Sequence, residues 1–126
     1  MKISTWNVNS INARINHLEK FILEDQSDIY LLQELKTVEE GFPKDIIKKL
    51  GYFSYVNGQK AWNGVAILSK TKLEITNTSI PKFEDPNSRI IETEIKLKKI
   101  KKKIKLINIY LPNGNPIETE KFDYKI

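Results

Sequence analysis

Hydrophobic residues in the first fifty positions follow two different spacings. Residues 2–8 are rich in β-forming side chains and are followed by Asn9 and Ser10, which suits a strand that ends where a helix is capped. After this cap, apolar residues recur at helical spacing as far as about Asp25: Ile11, Ile15, Leu18 and Ile22. A buried strand over 28–33 and a second helix over 43–50 complete a predicted strand–helix–strand–helix opening.

Short strands dominate the rest of the chain. Apolar stretches separated by turn-forming residues predict strands at 52–57, 64–69, 73–80, 89–97 and 104–111. In the fourth of these, Ile91, Thr93 and Ile95 alternate with charged residues, which is typical of a strand with one face in water. The last two are expected to form a hairpin. The pattern therefore predicts an α/β or α+β fold with a largely antiparallel later sheet.

Composition narrows the possible chemistry. The 126 residues, 40% of them hydrophobic, suffice for one domain with one modest core. Cysteine is absent and His17 is the only histidine, which excludes disulfides, thiol nucleophiles, cysteine-ligated zinc and histidine-rich metal sites within this chain. Mg²⁺ or Mn²⁺ held by oxygen ligands stays open. No signal-like segment opens the chain and no apolar run approaches the ~20 residues that span a bilayer, so we expect a cytoplasmic protein with no membrane partner.

The net charge of +5 arises in one segment of the chain. Between positions 96 and 105 there is no acidic residue, and the positive charge of the lysines there exceeds the net charge of the whole chain. These lysines are Lys96, Lys98, Lys99, Lys101, Lys102, Lys103 and Lys105. Two explanations stay open for this cluster. It is either a solvated hairpin that protects an edge strand from pairing or a source of nonspecific attraction to DNA.

Polar side chains follow the first two predicted strands. Asn7 closes the first strand, and Glu34 comes directly after the second. Ligands bind at the carboxyl ends of strands in α/β sheets, because the helices that follow point their N-termini into the same crevice. An amide oxygen and a carboxylate are suitable partial ligands for Mg²⁺, which keeps several waters and bridges to substrate phosphate. Taken singly, an asparagine at the position of Asn7 is more often a cap or turn residue, and Glu34 similarly suits a solvated loop residue.

Two later segments carry further candidates. Tyr110 closes the last predicted strand, just before a turn that contains Asn113. The loop over 58–64 combines lysine, amide and tryptophan side chains, which suit phosphate contact and stacking on a base or sugar. Each also has a plainer interpretation: packing for the tyrosine, a simple turn for the asparagine and an exposed connection for the loop.

Seven segments in this order resemble the exonuclease III family of magnesium-dependent DNA-repair nucleases, within the endonuclease/exonuclease/phosphatase superfamily. They include Trp6-Asn7-Val8-Asn9, Leu32-Gln33-Glu34 and Asn108-Ile109-Tyr110-Leu111-Pro112-Asn113-Gly114. The complete set occupies residues 2–10, 28–36, 50–52, 57–60, 64–69, 88–91 and 108–114. The resemblance extends from residue 1 to about residue 122 and is specific because the segments keep their order.

The resemblance implies roles for single residues. Glu34 matches the family's metal-ligating glutamate, and Asn7 matches the active-site asparagine beside it, at the same metal. Tyr110 resembles the tyrosine that approaches the scissile phosphate. Contacts to the DNA are implied for Asn9, Gln59, Lys60 and Asn113. In one departure, Asn12 stands where the family commonly has arginine.

The implied fold is an α/β (α+β) four-layer sandwich, with two mostly antiparallel sheets face to face and helices outside. This chain would supply about the first sheet and its helices. The implied activity is that of a monomeric, Mg²⁺-dependent or Mn²⁺-dependent 3′→5′ exodeoxyribonuclease and abasic-site endonuclease. Its partner would be double-stranded DNA with abasic sites or 3′ ends.

The family's later Gly-Asp-x-Asn and terminal Ser-Asp-His segments have no counterpart here. Residues 1–126 are therefore expected to be the N-terminal part of a single nuclease domain whose C-terminal half is absent, and to be inactive alone. Two alternatives stay open. One is a superfamily phosphodiesterase or phosphatase acting on small-molecule or lipid phosphates, and the other is a non-enzymatic basic nucleic-acid-binding module.

Overall fold

The computed structural model describes residues 1–58, 63–77, 90–97 and 102–110. In these ranges the elements follow the predicted order, with a short 3₁₀ turn added at Glu39–Gly41. Their bounds are β1 Ile3–Asn7, α1 Ile15–Asp25, β2 Ile29–Gln33, α2 Lys44–Lys49, β3 Phe53–Asn57, β4 Val65–Ser69, β5 Glu74–Asn77, β6 Ile90–Leu97 and β7 Lys102–Ile109. No helix of the described part is both long and apolar enough to cross a bilayer.

The strands form two sheets. The first has the order β1-β2-β4-β3, with β1 parallel to β2 and the other neighbours antiparallel. The second has the order β5-β6-β7 and is antiparallel throughout, including the predicted hairpin between β6 and β7. The expected mixed α/β fold is therefore confirmed. The described strands belong to both sheets rather than to about one, because alternation along a strand reveals a buried face but not the partner that covers it.

The two central strands of the first sheet bury both of their faces. Alternate residues face either the helices or the second sheet. The helix-side core combines Tyr30, Leu32, Ala66 and Leu68 of the sheet with Leu18, Ile22 and Ile47 of α1 and α2. The core between the sheets combines Ile29, Val65 and Ile67 with Ile91, Ile95 and Leu106. The chain is thus layered as helices, first sheet and second sheet.

The first helix begins later than predicted. Asn9 and Ser10 have left-handed backbone angles, with φ of 46° and 83°, and do not cap a helix. The backbone N–H groups of Ser10 and Ile11 instead donate to the carbonyls of Glu34 and Leu35, at 2.9 and 3.0 Å. These bonds hold residues 9–11 as a loop against the end of β2. The helix starts only at Ile15.

A polar network closes the other end of the first sheet. The carboxylate of Asp25 accepts hydrogen bonds from the hydroxyls of Ser27, Tyr30 (3.0 Å) and Ser4 (3.2 Å), and pairs with the Lys2 ammonium at 2.5 Å. The Lys2 contact and the Ser27 hydroxyl hold the pKa of Asp25 well below its ordinary value.

Tyr52 extends this network from the start of β3. Its hydroxyl donates to the Ser27 carbonyl at 2.6 Å. Burial raises the pKa of both Tyr52 and Tyr30 above the ordinary value of 10.0. The network therefore fixes the end of the sheet that carries no predicted site residue.

Candidate functional site

The ends of β1 and β2 bring two predicted site residues side by side. The parallel register pairs Asn7 with Gln33, so Glu34 follows next to Asn7 as β2 ends. The Val8 N–H continues the pairing with a 2.9 Å hydrogen bond to the Gln33 carbonyl. This is the arrangement expected for polar residues at the carboxyl ends of neighbouring parallel strands.

Two neighbouring loops hold the backbone around Glu34 in place. Glu34 has a left-handed φ of 57°, a conformation that costs a non-glycine residue about 1–3 kcal/mol unless its surroundings enforce it. On one side, the Glu34 carbonyl accepts the Ser10 N–H. On the other, the Leu35 and Lys36 N–H groups donate to Gly64 and Asn63 at 3.1 and 2.9 Å. The carboxylate is therefore carried on a backbone that is tied from both sides.

Tyr110 reaches the same site from the second sheet. It lies directly after β7, is half-buried and packs against the core between the sheets. Its hydroxyl donates a 2.9 Å hydrogen bond to Oε1 of Glu34, which is also half-buried. Among the described residues, none donates a hydrogen bond to Oε2 of Glu34. One oxygen of the carboxylate is thus oriented by the phenol, and the other makes no hydrogen bond within the described ranges.

Asn7 and Asn9 form the exposed rim of the site. The side-chain oxygen of Asn7 accepts the Asn9 N–H at 3.1 Å, which orients the amide. The side-chain oxygen of Asn9 in turn accepts Lys36 Nζ at 2.6 Å. A lysine two residues beyond Glu34 therefore places a positive charge at this rim. Sequence reasoning did not select Lys36, although a cation so close behind a strand-end carboxylate was an available signal.

Two further residues were also missed by sequence reasoning. Asn108, on the inward face of β7, is only 2% exposed, and its amide bonds to two carbonyls of the first sheet. Gln33 donates to the Asn108 side-chain oxygen at 2.8 Å. The available signal was a lone amide in the apolar second half of the strand, two residues after Leu106, because such a group is buried only with partners.

Several predicted residues contribute nothing that the structure describes at this site. Gln59, Lys60 and Asn113 lie outside the described residues. His17 is exposed on α1. Asn12, the departure from the family pattern, donates to the Gly41 carbonyl at 3.1 Å and so supports the 3₁₀ turn.

The described lysines of the 96–105 cluster lie far from the site. Lys103 and Lys105 are exposed near the start of β7, whereas Tyr110 follows its end. Each lies near a glutamate of the adjacent strand, Lys103 at 4.0 Å from Glu94 and Lys105 at 3.9 Å from Glu92. The arrangement favours the solvated hairpin among the two explanations.

The assembled side chains suit a phosphate and a hard cation. They comprise one carboxylate, exposed amides, a phenol and an ammonium, all at one end of the two sheets. The described residues include no group of three or more acidic or histidine side chains placed to hold a metal. Of these side chains, the Glu34 carboxylate is the one that best suits a hard cation such as Mg²⁺, which usually keeps several waters.

Known proteins share this sequence and fold. The Endonuclease/Exonuclease/phosphatase family matches residues 4–120. Exodeoxyribonuclease III of Haemophilus influenzae is 38% identical over 119 residues, which are 90% of this chain and 42% of that protein.

Solved structures agree with the sequence match. A 3′ phosphatase from Neisseria bound to product DNA hairpin has a TM-score of 0.89 and 35% identity, over 99% of this chain and 47% of its own. An AP endonuclease from Archaeoglobus fulgidus has a TM-score of 0.83 and 35% identity, over 99% of this chain and 46% of its own. The chain thus spans less than half the length of each of these relatives. By its sequence and its two-sheet architecture, it belongs to the endonuclease/exonuclease/phosphatase family.

Proposed function

We propose that this chain carries the metal-binding and phosphate-facing part of a Mg²⁺-dependent DNA-repair nuclease. The proposed reaction is hydrolysis of phosphodiester bonds in duplex DNA, as a 3′→5′ exodeoxyribonuclease and abasic-site endonuclease. One observation carries the proposal: the Tyr110 hydroxyl meets Glu34 beside Asn7, where two strand ends and a third strand from the other sheet converge. Relatives named as exodeoxyribonuclease III and as an AP endonuclease support it.

The side chains of Glu34 and Asn7 suit a divalent cation that prefers oxygen ligands. Oε2 of Glu34 makes no hydrogen bond to the described chain, and Asn7 offers a neighbouring amide oxygen. A bound Mg²⁺ would supply charge neutralisation at the phosphoryl oxygens. Mn²⁺ has similar ligand preferences and serves as its spectroscopic substitute.

The chain's own groups have distinct tasks in this proposal. The Tyr110 hydroxyl has one hydrogen, which it donates to Glu34 in the chain without substrate and would redirect to a phosphate oxygen that approaches the carboxylate. Lys36 adds positive charge at the rim through its contact with Asn9. Asn7 orients the rim loop and presents its amide to the same space.

We further propose that the 126 residues alone hydrolyse DNA at near-background rates. The described part of the site offers one carboxylate, and the chain's single histidine is exposed on α1. Loss of one general base or one oxyanion donor typically costs ~10²–10⁴-fold in rate. Residues that activate water are therefore expected from a domain of the relatives' full length, which this chain spans by less than half.

Metal binding tests the first part of the proposal. The isotope-labelled chain is titrated with Mn²⁺ and the broadening of backbone amide signals is followed by NMR. We expect broadening centred on Asn7, Glu34 and Leu35 that EDTA reverses. Glu34→Gln should abolish this broadening, while the control Glu40→Gln, in the exposed 3₁₀ turn, should retain it. Broadening that survives Glu34→Gln would refute the assignment of the metal ligand.

Substrate class is tested separately. With Mg²⁺ present, a duplex bearing an abasic-site analogue should shift the signals of Asn7, Lys36 and Tyr110. Competition by an inositol phosphate instead would favour the small-molecule or lipid phosphatase. Metal-independent DNA binding with a steep salt dependence would favour the basic binding module. Robust, EDTA-sensitive cleavage by the 126 residues would contradict the proposed inactivity of the short chain.

A further inference from the structure

One buried amide connects the two sheets close to the candidate site. Asn108 points inward from β7 and is only 2% exposed. Its Nδ2 donates to the carbonyls of Leu32 and Ala66, at 2.8 and 2.7 Å. Its Oδ1 accepts Nε2 of Gln33 at 2.8 Å. Both amide hydrogens and the oxygen are therefore used, as a buried polar group requires.

The two carbonyls define one position in the first sheet. Leu32 and Ala66 are register partners on β2 and β4, the central strands of that sheet. A single side chain of the second sheet thus bonds to both central strands at the same level. Hydrogen bonds are directional and short, whereas the apolar contacts between the sheets tolerate sliding. The amide therefore sets the position of β7 along β2.

This position determines where the site residues meet. Asn108 lies two residues before Tyr110, and Leu32 lies two residues before Glu34. Two residues of a strand span about 6.6 Å. The Leu32 side chain faces the helices, and the left-handed φ of Glu34 lets its carboxylate meet Tyr110 on the other face. The bonded pair Asn108–Leu32 and the bonded pair Tyr110–Glu34 are therefore successive contacts between the same two strands. Fixing the first pair fixes the second.

Gln33 carries the same network to β1. Its Nε2 lies 3.0 Å from the hydroxyl oxygen of Thr5 as well as 2.8 Å from Asn108. Thr5 is two residues before Asn7 on β1. The network thus joins β1, β2 and β7, the three strands that end near Asn7, Glu34 and Tyr110. It contacts each strand shortly before that end.

Packing alone does not explain an amide at this position. Leu106 lies two residues before Asn108 on the same face of β7. It is apolar and buried in the core between the sheets. An apolar residue at 108 would fill the same space without the desolvation cost of an amide. Buried polar networks that are fully satisfied instead specify a unique arrangement.

We propose that Asn108, completed by Gln33, is a positioning residue that holds Tyr110 against Glu34. This inference rests on the proposed function only where it treats the Tyr110–Glu34 contact as part of a metal-binding and phosphate-binding site. The contact itself is measurable in the chain without metal or DNA.

The test compares two Asn→Ser substitutions at the same end of the sheets. Asn108→Ser removes the amide network. The control Asn57→Ser removes another bond between the sheets, from Asn57 Nδ2 to the Ile90 carbonyl at 2.8 Å, on the far side of β4 from Glu34. Thermal unfolding reports stability, and NMR cross-peaks between the Tyr110 ring and the Glu34 side chain report the contact.

We expect both variants to unfold at a lower Tm, but only Asn108→Ser to lose the Tyr110–Glu34 cross-peaks. Cross-peaks that persist in a folded Asn108→Ser chain would overturn the proposal. If Asn108→Ser does not fold, Gln33→Met is the second variant. It keeps both carbonyl bonds of Asn108 but leaves Oδ1 without its Gln33 donor, so we expect weaker cross-peaks, and unchanged ones would overturn the proposal.

The Mn²⁺ titration separates this inference from the proposed function. Loss of the cross-peaks in Asn108→Ser, together with no Mn²⁺ broadening in the unsubstituted chain, would retain the positioning role and reject the metal site. Retained cross-peaks together with Mn²⁺ broadening at Glu34 would reject the positioning role alone.

Discussion

Gly64→Ala should damage both the fold and the site. Gly64 has a φ of +89°, where an L-residue is strained by about 1–2 kcal/mol. A Cβ at this position would lie 3.0 Å from Cβ and 3.4 Å from Cγ of Leu35. Leu35 is fully buried, so relief requires movement of the core, and overpacking of this kind costs about 1–3 kcal/mol. The lower entropy of the unfolded chain offsets about 0.4–1 kcal/mol.

The net loss for Gly64→Ala is therefore about 1–5 kcal/mol, with a central value of about 3 kcal/mol. For a chain of this size it corresponds to a fall in Tm of roughly 10 °C. Gly51→Ala is the matched control. Gly51 has a similar φ of +95°, but a Cβ added there would have no atom within 4 Å. The Gly51→Ala variant therefore has the backbone strain but no contact like that with Leu35, so its Tm should fall by only about 4 °C.

Thermal and urea unfolding of the two variants measures the difference, and the Mn²⁺ titration measures its effect on the site. Because Leu35 adjoins Glu34 and its N–H bonds to the Gly64 carbonyl, displacement of Leu35 should also weaken the broadening at Glu34. Gly51→Ala should leave that broadening unchanged. Equal losses of stability in the two variants would refute the contact with Leu35 as the cause.

Three further predictions concern charge and pH. The depressed pKa of Asp25 means that its stabilising contribution is complete above the ordinary value of 3.8 and is lost as the pH falls through the lowered value. Asp25→Asn should therefore lower the urea midpoint at pH 7, and the gap to the unsubstituted chain should narrow in acid. The raised pKa of Tyr52 acts at the alkaline end, with its contribution complete below pH 10.0 and lost as the pH rises further. Tyr52→Phe should consequently lose less stability between pH 9 and pH 11 than the unsubstituted chain, whereas an identical loss would contradict the burial argument. Replacing Lys103 and Lys105 together by Gln should change stability by less than about 1 kcal/mol, because both ammonium groups are exposed and 3.9–4.0 Å from their partners. The same change should leave the salt slope of DNA binding unaltered; a shallower slope would show that these lysines contact phosphate.

Local periodicity explains why the order of elements was predictable. The apolar stripe of α1 and the β-rich stretches before and after it determine element type over a few residues. The meeting of Asn7 and Glu34 was also predictable, because the carboxyl ends of neighbouring parallel strands lie at one edge of a sheet. Their functional roles stay predictions.

The predicted start of α1 was wrong for a physical reason. Asn and Ser cap helices because their side chains accept backbone N–H groups, and Asn also tolerates left-handed angles better than most residues. The same pair therefore suits a helix start and a tight loop. The deciding bonds, from Ser10 and Ile11 to Glu34 and Leu35, join residues that are more than twenty positions apart.

The spacing of residues along the sequence could not predict that Tyr110, from the second sheet, would contact Glu34. Tyr110 and Glu34 are 76 residues apart, and only the packing of β7 over β2 brings them together. The resemblance to known nucleases identified Tyr110 but gave no reason for its position. The bonds of Asn108 supply that reason, and they depend on side-chain directions that only the assembled sheets define.

The buried faces of β2 make its length a determinant of the site. Tyr30 and Leu32 face the helices, Ile29 and Leu31 face the second sheet, and Glu34 follows at once. One inserted residue within β2 would exchange the two sets of buried side chains and shift Glu34 and Leu35 away from their hydrogen-bond partners Ser10 and Gly64, although no functional residue had changed. Insertions in the loop after Lys36 carry no such penalty. Divergence in this protein is therefore freer to alter loops that do not bond to the backbone around Glu34, while the five residues of β2 must keep their number as well as their character.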